Sequence, residues 1–242
     1  MINEDFDLDN MNDVDWTDTF ADSDDNAVDD KIREFIDKYV EIIYKDGNWN
    51  DETGNWNDVT GTPSFVVTAD RKVKLLMPDG EPLSHDVTVR IWNKDPNSHD
   101  PNSHFGKFGS IKDMLCGMSL ADMPDNIISV CDMDIEHLYG LPDSVGGLWI
   151  INCIYLADLS GIPKNVNGDF RLYLHPSTRV NTMPERIWNL YIGDGYFELT
   201  KDVIDMLPYN IKYIKVSTSY GWQPDQKLLS LLDEHIGRRR IQ

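Results

Sequence analysis

Between residues 118 and 211 the apolar and polar positions recur as one phrase: an apolar residue, Pro, two variable positions, then Ile or Val. Its copies are Met123-Pro-Asp-Asn-Ile127, Leu141-Pro-Asp-Ser-Val145, Ile162-Pro-Lys-Asn-Val166, Met183-Pro-Glu-Arg-Ile187 and Leu207-Pro-Tyr-Asn-Ile211. The prolines lie 18, 21, 21 and 24 residues apart. Upstream of each, apolar residues recur about every third position, as in Ile135, Leu138 and Leu141 or Leu156, Leu159 and Ile162. Downstream comes a short run of period two, which predicts a strand with one buried face. Trp149, Ile151 and Cys153 form that face in the second copy, and Phe170, Leu172 and Leu174 in the third. Leu190 and Ile192, then Ile214 and Val216, continue it, each arriving one residue earlier. Val130 is the candidate in the first copy.

Each unit therefore predicts one strand, a turn, an apolar ladder and a Pro-marked bend. A single unit cannot bury its own apolar face, so stacked neighbours must share one core. A period of roughly 20–29 residues points to a β-rich solenoid of parallel strands, irregular and leucine-rich-repeat-like. Pro suits the bend because it lacks the N–H that a central strand needs. Gly140, Gly161, Gly146-Gly147 and Gly168 mark positions for positive φ or close backbone approach. The alternate strand residues are expected to face outward: Ile150, Asn152, Arg171, Tyr173, Asn189, Tyr191, Tyr213 and Lys215. Such a ladder of tyrosines and cations suits a partner-binding surface, and equally a solvated sheet face.

The flanks divide the chain further, into a tail (1–30), a helix-plus-β cap (31–100), the solenoid (101–222) and a C-terminal capping helix with a basic end (223–242). Lys31–Tyr44 has the helical spacing Ile32, Phe35, Ile36, Tyr39, Val40, Ile43. A duplicated Gly-Asn-Trp-Asn-Asp (47–51 and 54–58) suits a hairpin or an exposed aromatic loop, and packing against the helix is favoured. Phe65–Thr68, Lys72–Met77 and Val87–Trp92 predict an antiparallel β lead-in, with a Pro-Asp-Gly turn at 78–80. A second duplication, Asp-Pro-Asn-Ser-His (95–99 and 100–104), predicts consecutive turns in preference to a metal site. Asp225–Ile236 predicts the terminal helix.

Charge changes the picture at one end. Lys and Arg number 22 against 42 Asp and Glu, for a net charge of −20, and residues 1–30 hold twelve acids and no base. Large apolars are interleaved among them. Phe6, Asp13, Asp15, Trp16, Asp18, Phe20, Asp24 and Asp25 are the candidate contacts of this tail, which is expected to be disordered when free and either to solubilise or to order on a partner. The field favours a protein with a basic surface and disfavours nucleic acid and anionic lipid. No apolar run approaches the ~18–20 residues of a membrane span, and no secretory leader is visible. Cys116, Cys131 and Cys153, odd in number and without metal spacing, suggest reduced intracellular thiols. Phosphate-loop, zinc-hydrolase, nucleophile-elbow and Cys-x-x-Cys motifs are missing and the six histidines are scattered, so no catalytic residue, metal site or cofactor is assigned.

With the repeats placed, the chain resembles the leucine-rich-repeat-like proteins of large T4-like tailed phages. The matching residues are Ile36–Tyr44, Gly47–Trp49, Phe105-Gly-Lys-Phe-Gly109, Leu138-Tyr-Gly-Leu-Pro-Asp-Ser-Val-Gly-Gly147 and Leu159-Ser-Gly-Ile-Pro-Lys-Asn-Val-Asn-Gly-Asp-Phe170. The resemblance covers about residues 31–216, and the acidic start departs from it. It implies a phage product in the cytoplasm of an infected bacterium and no catalytic residues. The expected function is a non-catalytic module that binds and inhibits or redirects a host protein, a defence protein included, with the tail on a basic surface or imitating nucleic acid. A virion assembly component, and a hydrolase using carboxylates of the solenoid turns, are the alternatives. Oligomeric state is left open.

Overall fold

The computed structural model describes residues 25–50, 55–94, 108–193, 200–216 and 226–237. α1 (Asp25–Tyr39) runs directly into β1 (Val40–Asn50), whose hairpin partner is β2 (Asn55–Gly61). β3 (Ser64–Val67) and β4 (Lys72–Leu76) form a second hairpin, followed by β5 (Thr88–Trp92). Next come β6 (Phe108–Ser110), the single-turn α2 (Ile111–Met114), β7 (Ser119–Leu120), β8 (Met123–Cys131) and β9 (Ile135–His137). β10 (Ser144–Ile151), β11 (Asn165–Tyr173) and β12 (Arg186–Ile192) follow, then α3 (Lys201–Met206), β13 (Tyr213–Val216) and α4 (Gln226–Gly237).

The N-terminal helix is displaced from its predicted span. It begins at Asp25 and stops at Tyr39, and the predicted helical residues Val40–Tyr44 belong to β1. Ile32, Phe35, Ile36 and Tyr39 still bury one helical stripe. Val40, Ile42 and Ile43 then bring β-branched side chains that pack better on a pleated surface. Lys94 fixes the switch, its Nζ donating to the carbonyls of Asp37 at 3.0 Å and Val40 at 2.7 Å. In the hairpin the Trp-Asn of one Gly-Asn-Trp-Asn-Asp copy pairs with the Asn-Trp of the other, Trp49 opposite Trp56 and Asn50 opposite Asn55.

The long strands assemble into one eight-stranded sheet in the order β13-β12-β11-β10-β8-β5-β1-β2. From β5 to β13 every neighbour is parallel; β1 runs antiparallel to β5, and β2 antiparallel to β1. Thus β5 is a rung of the parallel sheet, not part of a purely antiparallel lead-in. The protein is β-rich, with a parallel β-solenoid of about four turns and a few helices. A second wall is carried by β6 and β9, paired in parallel, and continued by a parallel bridge between Asp158 and Arg179.

Two interior ladders cross seven of the eight strands, from β1 to β13. Ile42, Val89, Ile128, Leu148, Phe170, Leu190 and Ile214 stand in register, as do Val40, Ile91, Val130, Ile150, Leu172, Ile192 and Val216. Every member from β1 to β12 is at most 2% exposed. Each such burial is worth roughly 1.5–3 kcal/mol, so the ladders are the main source of cohesion between rungs. The residues upstream of the prolines close the far side of the same core, with Leu120, Leu138, Leu141, Leu156 and Leu159 all buried.

One corner of the solenoid requires glycine. Gly140 and Gly161 have φ of 100° and 87°, and a Cβ on them would lie 2.4 Å from Lys112 N and 2.2 Å from Tyr139 N. Adjacent rungs touch there through backbone.

Candidate functional site

Strand alternation that sends the ladders inward sends the intervening residues to the other face of the sheet. The central outward row is Arg90, Ser129, Trp149, Arg171, Tyr191 and Lys215, in register across β5, β8, β10, β11, β12 and β13. Asp169, Asn189 and Tyr213 form a row on one side of it. Trp92, Cys131, Ile151 and Tyr173 form a row on the other.

Arg171 is the hub of this surface. Its guanidinium lies between two rings, 4.6 Å from the centroid of Trp149 and 5.0 Å from that of Tyr191. Its Nη2 donates to Asp169 Oδ2 at 2.8 Å, while Asn189 Nδ2 donates to the other oxygen of Asp169 at 2.9 Å. The buried Nε of Arg171 and Nε1 of Trp149 have no hydrogen-bond acceptor among the described residues. For the guanidinium, the two π-faces supply part of what an acceptor would give. Tyr191 also packs on Tyr213 at 5.9 Å, extending the aromatic run to the last strand. At the other end Arg90 pairs with Glu41 at 3.3 Å and lies over Trp92.

Six of the eight residues predicted for the strand face are brought together here: Arg171, Tyr173, Asn189, Tyr191, Tyr213 and Lys215. Two are not. Ile150 is a core residue, 0% exposed, between Val130 and Leu172 in the second interior ladder. Trp149, predicted to be interior, takes the outward place beside Arg171. The cause is an irregularity in β11. Its register shifts against both neighbours around Asn167–Asp169, so the inward face restarts four residues after Val166 but three after Val145 and Ile187. Extending the third copy's count to the second inverts that strand. Leu148 and Ile150, an equally good alternation, were the signal for the other phase.

Asn152 lies beyond β10, at a left-handed turn with φ of 54°. Asp132 occupies the equivalent turn one rung earlier with φ of 49°, and Asn152 Nδ2 donates to its Oδ1 at 2.5 Å. Asn and Asp tolerate this conformation, so the pair forms a corner of the solenoid rather than part of the flat face. Of the predicted tail contacts, Phe6, Asp13, Asp15, Trp16, Asp18, Phe20 and Asp24 lie outside the described residues, as does the Asp-Pro-Asn-Ser-His duplication. Asp25 is the first residue of α1.

A polar cluster that the sequence did not suggest occupies the second wall. His137 Nδ1 lies 3.0 Å from Asp158 Oδ1, which also accepts from Ser160 N at 2.9 Å, and Arg179 Nη2 is 3.7 Å from the other oxygen. Burial would raise the Asp158 carboxyl, but the Ser160 backbone and side chain, with His137, outweigh it and hold it below 3.8. The geometry is that of a carboxylate joining rungs. Burial pushes the Cys153 thiol up to about 12 and raises that of Cys131, so neither is poised as a nucleophile. Among the described residues no group of three or more His, Cys, Asp or Glu could hold a metal ion. No described helix is long and apolar enough to cross a membrane.

Fold and surface together define the class: a parallel β-solenoid with a sheet face built of stacked Arg, Trp and Tyr. No protein-family model, curated protein or solved structure matches the chain.

Proposed function

We propose that this protein acts by binding another protein through the outer face of its parallel sheet, not by catalysis. The observation that carries the reading is the Trp149–Arg171–Tyr191–Tyr213 stack. Trp, Tyr and Arg are the residue types that dominate binding energy at interfaces, and a prepaid rigid arrangement loses little entropy on association. The Pro-marked rungs support a leucine-rich-repeat-like character, with β1–β4 and α1 as the cap at one end and α3 and α4 at the other.

The partner is a bacterial host protein with a basic surface, and the chain a phage factor that inhibits or redirects it in the infected cytoplasm, as a defence inhibitor does. The acidic tail within residues 1–30, whose last six residues open α1, accelerates encounter and engages that surface, whether or not it imitates nucleic acid there. Affinity capture from a bacterial lysate tests both parts. A partner should be retained by the wild type, lost from a Tyr191→Ala/Tyr213→Ala double variant, and captured more slowly at low salt by a chain lacking residues 1–24. Capture that survives both changes overturns the reading.

A further inference from the structure

On the outer face a cleft of about 260 Å3 lies at the C-terminal ends of β11, β12 and β13, lined by Arg171, Tyr173, Tyr191, Ile192, Gly193 and Lys215. Among the described residues its charged lining is wholly cationic. Asp169, close by, is already engaged by Arg171 and Asn189. Lys215 is exposed and forms no ion pair with another described residue. Gly193 keeps the cleft's shape, since a Cβ there would lie 2.1 Å from the Tyr173 ring. Two cations with aromatic walls therefore meet on a chain whose net charge is −20.

We infer that this cleft receives the carboxylate of one Asp or Glu in an acidic segment of the protein partner, clamped between Arg171 and Lys215. The inference rests on the sheet-face reading above and names the chemistry of its contact. Arg171 is held by Trp149, Tyr191 and Asp169, so it is already ordered when a carboxylate arrives. Charge-assisted hydrogen bonds of this kind are roughly twice as strong as neutral ones. The volume falls below the ~300–1,000 Å3 of sites for drug-sized molecules, and suits a side chain rather than a cofactor. A nucleic acid would bring many phosphates against the net negative field, whereas a short peptide at ~0.15 M salt feels charges beyond about 8 Å only weakly.

The test is a titration of the full-length isotope-labelled protein with an acetylated tetraglutamate peptide at ~0.15 M salt, followed by nuclear magnetic resonance. The ring signals of Tyr173 and Tyr191 and the Arg171 Nε–H should shift together and saturate. Lys215→Arg should preserve the affinity, and Lys215→Glu should weaken it about tenfold. Unchanged interior-ladder methyl signals in each variant verify the fold. Equal affinity in wild type and Lys215→Glu overturns the inference, as does tighter occupation of the cleft by inorganic phosphate or a short oligothymidylate. If Tyr191→Ala/Tyr213→Ala abolishes partner capture while the peptide fails to bind, the sheet-face reading stands and only the carboxylate clamp falls.

Discussion

At Gly161, as at Gly140, two demands coincide that at the other described glycines occur apart. Its φ of 87° is one that a side chain resists, and its Cα lies against the backbone of Tyr139. Gly80 shares the conformation, with φ of 90°, but a Cβ there meets nothing within 4 Å. Gly80→Ala should therefore cost about 1 kcal/mol, from conformational strain alone. Gly161→Ala should cost about 3 kcal/mol or more, because two rungs must separate. Urea unfolding of the two variants measures the difference, and equal costs would mean that the corner yields. Asp158 makes a residue-scale prediction in pH. An unfolded Asp binds its proton near 3.8, and the folded Asp158 only below that. Its contribution is complete above 3.8 and is lost as pH falls through the lower folded value. Asp158→Asn should be less stable at pH 7 and should show a flatter loss of stability below about pH 4, as followed by unfolding at a series of pH values.

Among the elements, β10 separates what the pattern could and could not specify. The existence of the strand, its place after Pro142 and its parallel neighbours were all legible, because proline and the apolar ladder repeat around it. Its phase was not. Leu148, Trp149, Ile150 and Ile151 are apolar on both faces, so alternation alone allows either assignment. The deciding fact, one additional residue in β11, appears only when neighbouring strands are aligned atom by atom. Ile150→Ala should cost about 3 kcal/mol as a core truncation, and Ile151→Ala, on the outward face, less than about 1 kcal/mol. Thermal or urea denaturation checks the pair, and reversed magnitudes would restore the opposite phase. The helix shows a related boundary: its stripe from Ile32 to Tyr39 was readable, but its end depends on Lys94, more than fifty residues away. The His137–Asp158 contact was likewise invisible, since it links residues of different rungs through irregular turns.

Over the whole molecule, repetition is what made the architecture legible, and charge segregation is what distinguishes its two ends. The twelve acids of residues 1–30 give a field that acts at distance, whereas the sheet face acts at contact. Association with a basic partner should therefore slow by about tenfold between ~0.01 and 0.15 M salt, as screening shortens from about 30 to 8 Å. Dissociation should change less. Removal of residues 1–24 should eliminate most of this salt dependence while leaving the Tyr191-dependent contact, which stopped-flow or biosensor kinetics can resolve. The sheet itself is directional. Six strands run one way, β1 runs against them, and β2, antiparallel to β1, returns to their direction. The two borders differ in how they are reached: β13 through a parallel neighbour, β2 through an antiparallel one. A head-to-tail polymer joining β13 of one copy to β2 of the next would therefore carry one antiparallel ribbon per copy, and its sheet would never become uniformly parallel.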